Sequence, residues 1–141
     1  MKLKLEFSGE LDILTFAQAA TDHVCRSLGF GQDVQDAVDL AIRESVINAI
    51  KHGNHEQAGK FVTVEFSFTP REAPAEFVVS VRDEGEGFEP EELADPLAPE
   101  NMLKSSGRGI FFMRSFMDDV RLARHPEGGM EVRMVKKLAT A

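Results

Sequence analysis

With 141 residues, 43% of them hydrophobic and 28% charged, the chain has an ordinary globular composition and the length for one domain with a real core. A net charge of -8 argues against nonspecific DNA binding, which needs a basic face, and favours a basic or mixed-charge protein partner. No apolar run reaches the roughly 18 residues of a membrane span, and the N-terminus lacks the apolar block of a signal peptide. The expected location is therefore the cytoplasm, with neither membrane nor nucleic acid as a direct partner. The single cysteine, Cys25, excludes an internal disulfide and reads as a small core hydrophobe.

In chain order, Lys2–Phe7 alternates, with Leu3, Leu5 and Phe7 on one side, which predicts a half-buried strand. After a turn at Ser8-Gly9, Ile13, Phe16, Ala17, Ala20, Val24 and Leu28 recur at helical spacing and predict a helix over residues 11–28 ended by Gly29 and Gly31. Asp33 is placed to cap a second helix running to His52. Its apolar stripe is Val34, Val38, Ile42, Val46, Ala49 and Ile50, and Gly53-Asn54 stop it. A loop precedes the clearest strand, residues 61–68, where Val62, Val64, Phe66 and Phe68 face one way.

Pro70 and Pro74 bracket the connection to a strand over residues 77–83, where Phe77, Val79 and Val81 share a face. From Glu84 to Ser106 the periodicity vanishes and Pro90, Pro96 and Pro99 intervene, the mark of a functional or mobile loop. A short helix over residues 109–116 is expected next. A hairpin of residues 120–124 and 130–137 then turns around Pro126-Glu127-Gly128-Gly129. Strands with one apolar and one polar face predict a single α+β domain spanning residues 1–141. Its architecture is a two-layer sandwich of a mostly antiparallel mixed sheet with helices on one face.

Three stretches carry chemistry. On the second helix Glu44 and Asn48 lie one turn apart on one face, and His52 continues the row. Alone, this reads as a solvated helix face sooner than as a site. Asp83 ends an inward-facing row, where a carboxylate is costly without a partner. It reads either as a strand-end turn cap or as a specificity carboxylate at a pocket floor. Gly85 and Gly87 after it permit a tight turn or a close approach to a flat ligand. Finally, Ser105-Ser106-Gly107-Arg108-Gly109 opens a helix. It is either a serine-capped helix start or a phosphate site built from free N–H groups, hydroxyls and the charges of Lys104 and Arg108. Neither a Walker A loop nor a dinucleotide fingerprint is present.

Taken together and in this order, the stretches resemble the N, G1 and G2 boxes of the GHKL (Bergerat-fold) ATPase superfamily. Glu44-x-x-x-Asn48-Ala-x-x-His52-Gly53 resembles the first and Asp83-x-Gly85-x-Gly87-Phe88 the second. Gly107-Arg108-Gly109-Ile110 and the segments Phe116–Val120 and Gly128–Val132 resemble the C-terminal third. Length and layout are similar to the anti-sigma-factor serine/threonine kinases. This resemblance implies ATP and Mg²⁺ as ligands, with Asn48 holding the metal on the phosphates and Glu44 as general base. It implies that Asp83 accepts a hydrogen bond from the adenine amino group. His52, Gly85, Gly87, Phe88, Lys104, Ser105, Ser106, Gly107, Arg108, Gly109 and Ile110 would complete the nucleotide site, and residues 89–106 would form a lid. Relatives often carry a basic residue where this chain has Ser105, so Lys104 or Arg108 supplies the positive charge.

The same resemblance implies phosphorylation of an anti-anti-sigma (STAS-type) protein, sequestration of a sigma factor, and a homodimer. The rival readings are a non-catalytic ATP-binding partner switch and a switch kinase acting on a stress-signalling scaffold. Glu44, retained with Asn48, favours the enzyme. A histidine kinase is not expected, because no helix with a phospho-accepting histidine precedes the domain.

Overall fold

The computed structural model describes residues 2–8, 13–54, 59–68, 76–85 and 114–137, with backbone alone at 52 and 53. Within them, strands β1 (Lys2–Phe7), β2 (Val62–Phe68), β3 (Glu76–Arg82), β4 (Asp119–Arg124) and β5 (Met130–Lys137) form one sheet in the order β1-β2-β3-β5-β4. All four pairings are antiparallel. Helices α1 (Ile13–Leu28) and α2 (Gln32–Asn48) cover one face. The fold is α+β in two layers.

The alternation read from the sequence explains the sheet. In β2 the residues Val62, Val64, Phe66 and Phe68 are buried and Thr63, Glu65 and Ser67 only partly so. The register sets Val64 opposite Val81, Phe66 opposite Val79 and Phe68 opposite Phe77, and places Met134 of β5 beside Val79. Phe66 and Phe77 stack diagonally at 5.9 Å between ring centroids. Against this face pack Val24, Cys25 and Leu28 of α1 and Val38, Ala41, Ile42 and Val46 of α2.

Helix α1 departs from the expected stripe at one position. Phe16 is 67% exposed, whereas Ala17, Thr21, Val24, Cys25 and Leu28 face inward. The neighbours 16 and 17 lie about 100° apart around the helix, and α1 docks with Ala17 rather than Phe16 turned to the core. Thr21 tolerates full burial because its hydroxyl donates to the Ala17 carbonyl at 2.8 Å. Gly29, at φ 81, ends α1 and lets the Phe30 N–H return to the Cys25 carbonyl at 2.9 Å.

Helix α2 begins two residues earlier than its expected cap implies. Gly31 occupies the N-cap without a side-chain bond, and Asp33 lies inside the first turn, where its charge suits the positive end of the helix dipole. At the other end the α-helix stops at Asn48 and continues as one wide π turn, Ala49–Gly53. The spacing that placed His52 on one row with Glu44 and Asn48 therefore holds only as far as Asn48.

The hairpin is as expected. His125 N–H donates to Gly129 O at 2.8 Å and Gly128 N–H to His125 O at 2.9 Å, with Gly128 and Gly129 at φ 106 and 82. Of the short helix predicted over residues 109–116, only 114–116 are described, and they are helical. Lys136 ties their end to the sheet by donating to the Phe116 carbonyl at 3.0 Å and facing the Asp118 carboxylate at 3.8 Å.

Candidate nucleotide site

Two elements bring together the described part of the site. The first is the C-terminal half of α2. Val46, Ala49 and Ile50 are buried in the core, which fixes the helix rotation and leaves Glu44 and Asn48 half-buried, one turn apart. Asn48 stands where the α-helix widens into the π turn, a distortion often found at functional positions. Its amide makes no hydrogen bond to that turn, so its oxygen is not committed to capping.

The second element is the end of β3. Asp83 follows Arg82 directly and continues the inward row, with 5% of its surface exposed. Its N–H donates to Met130 O at 3.0 Å, which extends the ladder with β5 by one residue. Its Oδ1 accepts from the Gly85 N–H at 2.8 Å and the Met130 N–H at 3.2 Å. The turn-cap reading of Asp83 is thus realised through Oδ1 alone among the described residues. Burial pushes the Asp83 carboxyl above the usual range, opposed by those two N–H groups and by the charges of Lys60 and Arg82. Gly129 presses on the Asp83 backbone so closely that a Cβ there would overlap its carbonyl.

A residue with no predicted site role joins the two elements. Asn54, at the end of the π turn, is 2% exposed. Its Oδ1 accepts the Glu84 N–H at 2.7 Å, and its Nδ2 donates to Phe61 O at 3.0 Å. The Phe61 N–H donates in turn to the Glu84 carboxylate. From the sequence, Asn54 was legible only as a helix stop. Its partners lie 7 and 30 residues away, where no local pattern reaches.

Gly87, Phe88, Lys104, Ser105, Ser106, Gly107, Arg108, Gly109 and Ile110, the His52 side chain and the expected lid all lie outside the described residues. Among the described residues no group of three or more His, Cys, Asp or Glu side chains could hold a metal ion. An uncommitted amide oxygen at Asn48 is the kind of hard donor that shares Mg²⁺ with phosphate oxygens and water, so the donor set fits a metal arriving with a nucleotide. Cys25 is fully buried and its thiol is pushed up to about 12, first by burial and then by the charges of Asp39 and Asp22. It is a core side chain, as its pattern suggested. Among the described residues no helix is long and apolar enough to cross a membrane.

This fold and strand-end geometry define a class. A family profile for the histidine kinase-like ATPase domain matches residues 7–136, and the chain belongs to that family. It is similar along nearly its whole length to anti-sigma F factors. That of Clostridium acetobutylicum is 33% identical over 140 residues, 98% of this chain and 94% of the relative. That of Bacillus subtilis is 31% identical over 142 residues, 98% of this chain and 93% of the relative.

Proposed function

We propose that this chain is an anti-sigma factor and a protein serine kinase. It binds ATP with Mg²⁺ between the end of α2 and the end of β3, phosphorylates a serine of an anti-anti-sigma (STAS-type) partner, and sequesters a sigma factor. The observation that carries the reading is the Asn54 bridge. It ties the helix end bearing Glu44 and Asn48 to the strand end bearing the buried Asp83, in a chain matched end to end by anti-sigma F factors.

In this reading Asp83 accepts from the adenine amino group, and the glycines at 85 and 87 let the base lie close to the backbone. Asn48 would supply an amide oxygen to a Mg²⁺ that arrives with the nucleotide. Lys104 or Arg108, with Ser105, Ser106 and the N–H groups of residues 107–110, receives the negative charge. His52 and Phe88 are assigned to nucleotide binding by the same family resemblance. The metal, when bound, neutralises charge on the phosphate oxygens. Glu44 takes the proton from the partner's serine hydroxyl as its oxygen bonds to the γ-phosphorus. The bond from that phosphorus to the β–γ bridging oxygen breaks, and ADP leaves.

The test is a radiolabelled-ATP assay with a candidate anti-anti-sigma protein, run beside a binding titration. Glu44→Gln keeps the side-chain shape and removes the base, so it is expected to bind ATP as wild type does and to transfer about 10²–10⁴-fold more slowly. Asn48→Ala is expected to lose Mg²⁺-dependent nucleotide binding itself. Equal transfer by Glu44→Gln and wild type would remove the base assignment. ATP binding by a wild type that labels no partner would make the chain a non-catalytic switch.

A further inference from the structure

The bridging side chain has a role beyond closing a helix. Asn54 is anchored by its own backbone, whose N–H donates to Ala49 O at 2.8 Å across the π turn that begins after Asn48. Its acceptor oxygen takes the N–H of the residue directly after Asp83, and its donor nitrogen holds the residue directly before β2. On its other side, Asp83 is fixed by Met130 and Gly129 of the hairpin. The Asp83 loop is therefore held from the hairpin by backbone groups and from the helix by one buried amide.

We propose that Asn54 is a positioning residue for nucleotide recognition: it sets the spacing between Asp83 and Asn48, so that adenine and phosphates are engaged at the same time. This rests on the reading of those two residues given above. An amide is suited to the place because it offers a donor and an acceptor on one short planar group. A carboxylate in the same position would still accept from the Glu84 N–H, but it would set negative charge against the Phe61 carbonyl. A neutral carboxyl would restore both bonds.

The experiment is a set of ATP and GTP binding titrations on the full chain at pH 7.5 and pH 5.5. They compare wild type, Asn54→Ala, Asn54→Asp and a remote core variant, Phe66→Leu. Wild type is expected to prefer ATP. At pH 7.5 both Asn54 variants should lose about five- to tenfold in ATP affinity, roughly the effect of one net hydrogen bond. Their preference for ATP over GTP should fall by a similar factor. Phe66→Leu should lower the melting temperature and leave that preference intact, which separates positioning from general destabilisation. Relative to wild type at the same pH, Asn54→Asp should recover part of this loss at pH 5.5, because burial beside the Phe61 carbonyl raises its carboxyl toward that pH.

Should Asn54→Ala fail to fold, the pH recovery of Asn54→Asp is the deciding measurement. Should neither fold, amide exchange in wild type decides: ATP must slow exchange at Glu84 and Phe61 together, and an unaltered rate at both overturns the proposal. A wild type that binds ATP and GTP equally removes the adenine role of Asp83, and the present inference with it. A wild type that prefers ATP, alongside Asn54 variants that keep the same preference, overturns the positioning role alone.

Discussion

Asp39 shows how one residue between the helices responds to pH. It lines a cleft of about 240 Å³ between α1 and α2, with Asp36 and Arg43 on its own helix and Gln18 and Thr21 across from it. Its Oδ1 is buried without a donor in reach. The neighbouring Asp22 carboxylate accepts from Gln35 at 2.8 Å, so a proton held between Asp39 and Asp22 is expected to stabilise the pair. The Asp39 carboxyl is accordingly pushed up to about 8, first by burial, then by the hydrogen bond and charge of Asp22, and then by Asp36. Between the ordinary value of 3.8 and about 8, the folded chain keeps a proton that the unfolded chain has lost. Folding stability therefore falls as pH rises through that window. Urea melts at pH 5, 7 and 9 should show this decline, and Asp39→Asn should flatten it and be at least as stable as wild type at pH 9. Asp83, also raised by burial, adds a slope of the same sign that this substitution leaves in place. A decline of unchanged steepness in Asp39→Asn would show that the pair does not share a proton.

Among the elements, the β4–β5 hairpin is the one whose turn reaches into the site. Gly128 and Gly129 both have positive φ, but only Gly129 meets the Asp83 backbone, while Gly128 has open space around its Cβ position. Alanine at either pays for the left-handed backbone, about 1–2 kcal/mol. Alanine at 129 must also push the Asp83 carbonyl aside, so a loss of about 3 kcal/mol or more is expected there. Urea denaturation of Gly128→Ala and Gly129→Ala separates the two costs, and ATP titration should show weakened binding for Gly129→Ala only. Equal losses in both variants would mean that the hairpin shifts as a unit without disturbing Asp83.

At the scale of the whole molecule, β1 and α1 each leave a large apolar side chain exposed. Strand β1 is one of the two edge strands of the sheet and, among the described residues, pairs with β2 alone. Leu3 is 42% exposed on it, and Phe16 is the most exposed large hydrophobic side chain among the described residues. An apolar edge of this kind is a liability unless it is covered. We propose that a second copy of the chain covers it in a homodimer. Light scattering at about 50 µM should give a dimeric mass. Phe16→Ser should weaken association by at least about tenfold, from the loss of one buried aromatic side chain. A monomeric wild type overturns this.

Strand alternation was enough to determine β1, β2, β3 and the hairpin, and with them the two-layer α+β class. A pattern of period two needs only neighbouring residues to be read. The same holds for Glu44 and Asn48, one turn apart on a helix, and for Asp83 at the end of an apolar row. What the sequence left open were quantities fixed by partners far along the chain. Whether Phe16 or Ala17 faces the sheet depends on how α1 docks. Asn54 is buried where its side chain meets Phe61 and Glu84, further along the chain. The requirement for glycine at 129 comes from Asp83 across the sheet, and the raised carboxyl of Asp39 from its burial between the helices and from Asp22 on the other one. Periodicity is a local property of the chain, whereas hydrogen-bond partners, close approaches and the charges around a carboxyl exist only once distant segments have met.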